Sequence, residues 1–140
     1  MQTETMLETR TDALSHSLED YLEAIADLAG EENNPVRAVD VATKLGVSKA
    51  SVSKAVSNLK EKGYVDQPYY GDITLTEEGF AYGADMWLRH NLLFRFLTEQ
   101  LGIDPETANY EACQMEHGIS RASFEKWKAY FASIGMKVTR

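Results

Sequence analysis

The feature that most constrains this chain is the run VDVATKLGVSKASVSKAVSNLKEKGYV, residues 39–65. It holds two helical patterns joined by Gly46-Val47-Ser48. The first is short, residues 38–45, with Val41 and Leu45 facing inward; the second is capped by Ser48 and reaches about Lys62, with Val52, Val56 and Leu59 at helical spacing. Gly63 stops it. Two short strands come next, residues 64–69 and 72–75, around a Tyr70-Gly71-Asp72 turn. Pro68 has no amide hydrogen to donate, which marks the first as an edge strand. Two short helices meeting at a glycine turn, then a hairpin, predict a winged helix-turn-helix.

The flanking segments are helical. Leu18, Tyr21, Leu22 and Ile25 share one face of a first helix, residues 18–28, for which Ser17 is the expected N-cap. GEENNP, residues 30–35, reads as a loop. Thr76 with Glu77 and Glu78 opens a long fourth helix to about Leu101, marked by Trp87, Phe94, Leu97 and Leu101 with Leu93 beside them. At ~1.5 Å per residue it would span nearly 40 Å, too long to bury in so small a domain, so its apolar face is a candidate dimer seam. Gly102 ends it, and Asp104-Pro105 is an N-cap and N1 pair for a fifth helix. Gly118 is expected just past that helix in a left-handed conformation. Ser120 caps a sixth helix with Phe124, Trp127, Phe131 and Ile134 as its stripe. The expected fold is mostly α with a small β-hairpin: an acidic N-terminal tail (1–16), a winged helix-turn-helix domain (17–76) and a helical dimerisation and metal-binding domain (77–140).

Charge points the same way. The net charge is −8, yet residues 35–70 hold six basic and three acidic residues, whereas residues 1–34 hold one basic and nine acidic. The cationic segment marks a DNA footprint, with a solvated surface as the plain alternative. On the second helix of the pair, Ser48, Lys49, Ala50, Ser51, Ser53 and Lys54 are small or polar groups that permit close approach to the major groove. Lys60 lies further along, towards the phosphate backbone, and Arg37 precedes the first helix of the pair. The wing offers Tyr69 and Tyr70 but no lysine or arginine.

A second chemistry is written on the fifth helix. Cys113, Glu116 and His117 fall at i, i+3 and i+4, within about a 100° arc, so one ion could engage all three. Asp20 and Glu23 repeat the i, i+3 spacing on the first helix, and His90 stands on the fourth. Thiolate, carboxylate and imidazole together suit a transition metal better than calcium or magnesium. Each group also has an ordinary role: Asp20 in a capping box with Ser17, Glu23 on a solvated face, Cys113 as a small buried residue, His117 against the helix dipole, His90 as a hydrogen-bonded core histidine.

SLEDYLEAI, the helix-turn-helix run, RHNLLFRFL and EACQMEHGIS occur in the order seen in the iron- and manganese-dependent repressors, the diphtheria toxin repressor and manganese transport regulator family. The resemblance covers roughly residues 17–133, and EACQMEH is its most specific piece. It implies a homodimer that binds a divalent metal as co-repressor, Fe(II) or Mn(II), with up to two ions per subunit. It also implies a palindromic, inverted-repeat operator in double-stranded DNA and control of metal-homeostasis genes. Asp20, Glu23, His90, Cys113, Glu116 and His117 would be the metal ligands. The match is a hybrid: Asp20 and Glu23 resemble the short manganese-type members, Cys113 the iron-type ones. Phe94 stands where iron-type members place a second-site carboxylate, and the extra C-terminal domain of the longer members is not expected.

Other classes leave weaker traces. With one cysteine, no disulfide forms within a chain. No apolar run reaches the ~18–20 residues of a membrane span, and the polar, acidic start lacks a secretion signal's pattern, so a cytoplasmic location is expected, with no organic cofactor. A metal-independent winged-helix regulator with Cys113 as a redox sensor is the main alternative. A metallohydrolase is a lesser one, since there is neither an HExxH helix nor a nucleophile paired with a base.

Overall fold

In the computed structural model, residues 14–68 and 71–138 are described. The expected acidic tail before Leu14, and Tyr69 and Tyr70 of the wing, lie outside them. The elements are α1 (His16–Ala29), α2 (Ala38–Leu45), α3 (Lys49–Glu61), β1 (Val65–Asp66), β2 (Thr74–Leu75), α4 (Glu77–Arg95), α5 (Pro105–Gly118) and α6 (Arg121–Ser133). They fall into two compact units. One is Ser15–Trp87; the other is built on Leu88–Arg140.

In the Ser15–Trp87 unit, α1, α2 and α3 pack together, and Leu22, Ile25, Val41, Val52 and Leu59 are fully buried among them. Burial of a side chain of this size stabilises by about 1.5–3 kcal/mol, which is why the apolar spacing fixes these helices. Gly46, left-handed at φ 66°, closes α2, and the Ser48 hydroxyl accepts the Ser51 amide to open α3. Both match the sequence expectation. The start of α1 does not. Ser15, not Ser17, is its N-cap and accepts from the Leu18 amide at 3.2 Å. Ser17 lies inside the first turn, so the capping box considered for Asp20 with Ser17 is not formed. The apolar stripe begins at Leu18, after the backbone has already become helical, and periodicity alone cannot see those first residues.

The wing strands are shorter than expected. Among the described residues only Val65↔Leu75 and Asp66↔Thr74 pair as a ladder. Ile73 turns instead to Val36, exchanging both backbone hydrogen bonds with it at 2.8 and 2.7 Å. That bridge draws the segment before α2 into the sheet, and the ladder between β1 and β2 ends at Asp66↔Thr74. Thr76 caps α4 as expected, accepting from the Gly79 amide. Two glycines set how closely chains approach. A Cβ on Gly79 would sit 1.8 Å from the Tyr64 carbonyl oxygen, and one on Gly83 would sit 2.6 Å from Ala26 Cβ.

In the Leu88–Arg140 unit the core is Leu92, Leu93, Leu97, Ala108, Ala112, Phe124, Phe131 and Met136. The long fourth helix is regular only to Arg95; Phe96–Gln100 is a π-turn, with the Leu101 amide bonded to the Phe96 carbonyl. The extra residue in that turn changes the helical phase beyond it. Leu101, expected on the Leu97 face, is 58% exposed. Gly102, at φ 70°, then turns the chain, and Asp104 caps α5 through the Thr107 amide with Pro105 behind it. Gly118 departs from expectation: it is the last residue of α5, without a positive φ, and Ile119 leaves it extended. The reason is a side chain. The Arg89 guanidinium, 6% exposed, donates to the carbonyls of Glu116 and Ile119, so the end of α5 is satisfied without a left-handed residue. Phe124 lies under the same guanidinium, 5.0 Å from it.

Candidate DNA-binding and metal-binding sites

The DNA-facing candidates stand on α3 and its approaches. Val52, Ala55, Val56 and Leu59 hold one face of α3 in the core, which leaves Lys49, Ala50, Ser51, Ser53 and Lys54 exposed on the other. Ser48 and Ser51 are coupled: the Ser48 hydroxyl accepts from the Ser51 amide at 3.1 Å and donates to the Ser51 hydroxyl at 3.0 Å. Two of the expected cations are engaged within the protein. Arg37 pairs with Asp40 at 3.1 Å, and that hydrogen bond and charge hold its guanidinium above the ordinary arginine value. Lys60 donates to the Gln67 carbonyl at 3.2 Å and lies 3.8 Å from Asp66, fastening α3 to the start of the wing.

Sequence reasoning missed Asp27. Its carboxylate takes Lys44 of α2 at 2.6 Å and the indole N–H of Trp87 at 3.0 Å, so one acid on α1 holds both α2 and α4. Glu19 was missed as well. It is 7% exposed and accepts the Tyr82 hydroxyl, while the Tyr82 ring packs edge-on against Tyr64 at 5.3 Å. Nothing in the spacing of α1 separates Glu19 and Asp27 from its solvated acids; only the pairing aromatic and lysine from other elements does.

The metal candidates divide between the units. On α1, Asp20 lies 3.6 Å from His16, one turn before it, and Glu23 comes one turn later, half-buried. His16 was not singled out from sequence. In the Leu88–Arg140 unit, α4 supplies His90 and α5 supplies Cys113, Glu116 and His117. Glu116 is 0% exposed. Its Oε1 lies 3.5 Å from His90 Nδ1 and 3.5 Å from His117 Nε2, and neither carboxylate oxygen has a hydrogen-bond partner among the described residues. The other nitrogen of His90, Nε2, lies 2.8 Å from Asn109 Oδ1. Cys113 stands one turn before His117 on α5, half-buried.

A buried carboxylate without hydrogen bonds is costly unless a cation neutralises it. Two imidazole nitrogens and a carboxylate oxygen converging at this spacing are a donor set for a borderline divalent metal. The residues present therefore fit a transition-metal ion.

Comparisons with known proteins show which family the chain belongs to. Residues 13–72 match the model described as iron dependent repressor, N-terminal DNA binding domain. Residues 76–134 match iron dependent repressor, metal binding and dimerisation domain. The chain belongs to the iron-dependent repressor family. A helix-turn-helix-type transcriptional regulator of Methanocaldococcus jannaschii is 36% identical over 126 residues, covering 89% of this chain and 100% of that protein. Transcriptional regulator MntR of Escherichia coli is 32% identical over 120 residues, covering 86% of this chain and 76% of that protein. Among solved structures, a manganese-dependent transcriptional repressor in complex with manganese is 30% identical, with a TM-score of 0.69 over 82% of this chain. This chain covers 52% of that structure, about half its length. As a member of the iron-dependent repressor family, the protein is a DNA-binding, metal-dependent transcriptional regulator with a winged-helix fold, as the sequence implied. Among the described residues no helix is long and apolar enough to cross a membrane.

Proposed function

We propose that the protein is a cytoplasmic repressor that binds an inverted-repeat operator as a homodimer when Asp20, Glu23, His90, Cys113, Glu116 and His117 hold Fe(II) or Mn(II). The observation that carries this reading is the Glu116 carboxylate, fully buried, facing two imidazole nitrogens at 3.5 Å and lacking a hydrogen-bond partner among the described residues. A bound divalent ion would supply the positive charge that this buried carboxylate requires. His90 and His117 then act as neutral imidazoles, each offering a lone pair. Arg89 keeps the last turn of α5 in place through the Glu116 and Ile119 carbonyls, so Glu116 and His117 are presented on a fixed backbone.

At the other site, Lys49 and Lys54 supply phosphate contacts, while Ser48, Ala50, Ser51 and Ser53 line the approach to base edges. A two-fold dimer would read two half-sites with spacing set by its symmetry. Metal raises DNA affinity only if it favours the DNA-competent arrangement over others. The test is selection of duplexes from a random pool with Mn(II), or with Fe(II) under anaerobic conditions. Affinity for the selected duplex is then measured with metal and after chelation. Tighter binding with metal, to a sequence with two-fold symmetry, supports the reading. Equal affinity in both conditions overturns it.

A further inference from the structure

We infer that Asn109 is a positioning residue for the metal site, fixing the tautomer of His90 so that the Nδ1 lone pair faces Glu116. The inference rests on the proposed ligand role of His90. Asn109 Oδ1 lies 2.8 Å from His90 Nε2. An amide oxygen only accepts, so Nε2 carries the proton. A neutral imidazole has one N–H and one lone pair, and the lone pair is then on Nδ1. Nδ1 is the nitrogen that lies 3.5 Å from Glu116 Oε1. The ring plane is held from one side as well: His90 stacks on Phe94, centroids 6.5 Å apart and planes 12° from parallel.

The placement on α5 is economical. Asn109, Cys113, Glu116 and His117 fall at i, i+4, i+7 and i+8, one face of one helix. The helix that carries the candidate ligands also carries the acceptor that orients the ligand from α4. Phe94 and Asn109 thus both serve His90: one sets the plane of its ring and the other the place of its proton. The reversed tautomer would put a hydrogen between the ring and the buried carboxylate and remove the donor electrons an ion needs. Hydrogen bonds of this kind to a ligand histidine typically change metal affinity about 10–100-fold when removed.

The test uses full-length protein in three forms: parent, Asn109→Leu and Asn109→Asp. Nitrogen-15 NMR of the histidine side chains in metal-free protein reads the tautomer directly, and Mn(II) titration reads the dissociation constant. Expected are an Nε2–H tautomer for His90 in the parent, a dissociation constant about 10–100-fold weaker in Asn109→Leu, and recovery in Asn109→Asp, which restores an acceptor. An Nδ1–H tautomer in the metal-free parent overturns the inference. So does an Asn109→Leu protein that binds Mn(II) within about twofold of the parent, against the 10–100-fold loss expected. A parent with the expected tautomer that binds neither Mn(II) nor Fe(II) overturns the ligand reading instead, so the two failures are distinct.

Discussion

His90 Nδ1 lies 3.5 Å from Glu116 Oε1, on a carboxylate that is completely buried and has no hydrogen-bond partner among the described residues. An isolated buried charge opposes folding, and one held between imidazoles is poised for a cation. Without metal, Glu116→Gln should therefore be as stable as the parent or more so, because the charge is gone. With Mn(II) at about a hundredfold excess over its dissociation constant, the parent should gain about 2.7 kcal/mol and the variant nothing. Thermal unfolding with and without Mn(II) measures both. A Glu116→Gln protein stabilised by Mn(II) as much as the parent would remove Glu116 from the ligand set.

The two lysines of α3 should behave differently on DNA. Lys54 is exposed on the face away from the core, so Lys54→Ala should weaken binding to all sequences and reduce the salt slope by about one. Lys60 already donates to Gln67 and lies beside Asp66. Lys60→Ala should change the slope less and loosen the wing instead. Binding isotherms over a salt series separate the two effects. An unchanged slope for Lys54→Ala would place α3 outside the DNA interface.

Much of this architecture is legible in the sequence, for physical reasons. The bounds of α2 and the caps Ser48, Thr76, Asp104 and Ser120 are local events, set by side chains within a turn of the backbone they satisfy. The departures are non-local. Gly118 differs from expectation because Arg89, 27 residues earlier than Glu116, caps α5 from another helix. Val36, from before α2, pairs with Ile73, which no local pattern shows. Leu101 leaves its stripe because a π-turn intervenes, and helical spacing assumes none. At the metal site, spacing reveals the α5 triad of Cys113, Glu116 and His117. It cannot reveal that Glu116 is the wholly buried member or that Asn109 meets His90.

Gly79 should tolerate no side chain. A Cβ there would fall 1.8 Å from the Tyr64 carbonyl oxygen, which is backbone and cannot swing aside. Gly79→Ala should lower stability by about 1–3 kcal/mol, against the gain that Gly→Ala normally brings within a helix. Gly118→Ala meets nothing within 4 Å and should be neutral or stabilising. Urea unfolding of the pair gives the comparison, and a stable Gly79→Ala would show that α4 can shift away from Tyr64.

Asp104 predicts a component of acid sensitivity. The Thr107 amide donates to its carboxylate and holds its pKa below the ordinary 3.8. A depressed carboxylate contributes stability that is fully present above the unfolded value and is lost as pH falls through the folded one. Asp104→Asn keeps a capping oxygen without the titration. Its stability should therefore fall less steeply than the parent's below about pH 3.8, while the two curves run parallel near neutrality. Parallel curves throughout the acid range would mean that the Thr107 bond does not distinguish the ionised from the neutral acid.

Cys113 offers the sharpest test of metal preference. It stands on the α5 face with Glu116 and His117, where a thiolate favours softer ions and a carboxylate favours Mn(II). With Co(II) as a probe, the parent should show thiolate-to-metal charge-transfer absorption in the near ultraviolet, and Cys113→Ser should lose it. Cys113→Glu should lose more Zn(II) affinity than Mn(II) affinity, narrowing the difference between their stabilising effects on unfolding. A redox-sensing cysteine with no metal role predicts the opposite pattern. Metal-linked stabilisation would be the same in the parent, Cys113→Ser and Cys113→Glu, with no charge-transfer band in any. DNA binding would then respond to oxidant but not to chelator. The Co(II) spectrum alone decides between these accounts of the thiol, because the band arises only if sulfur is bonded to the ion.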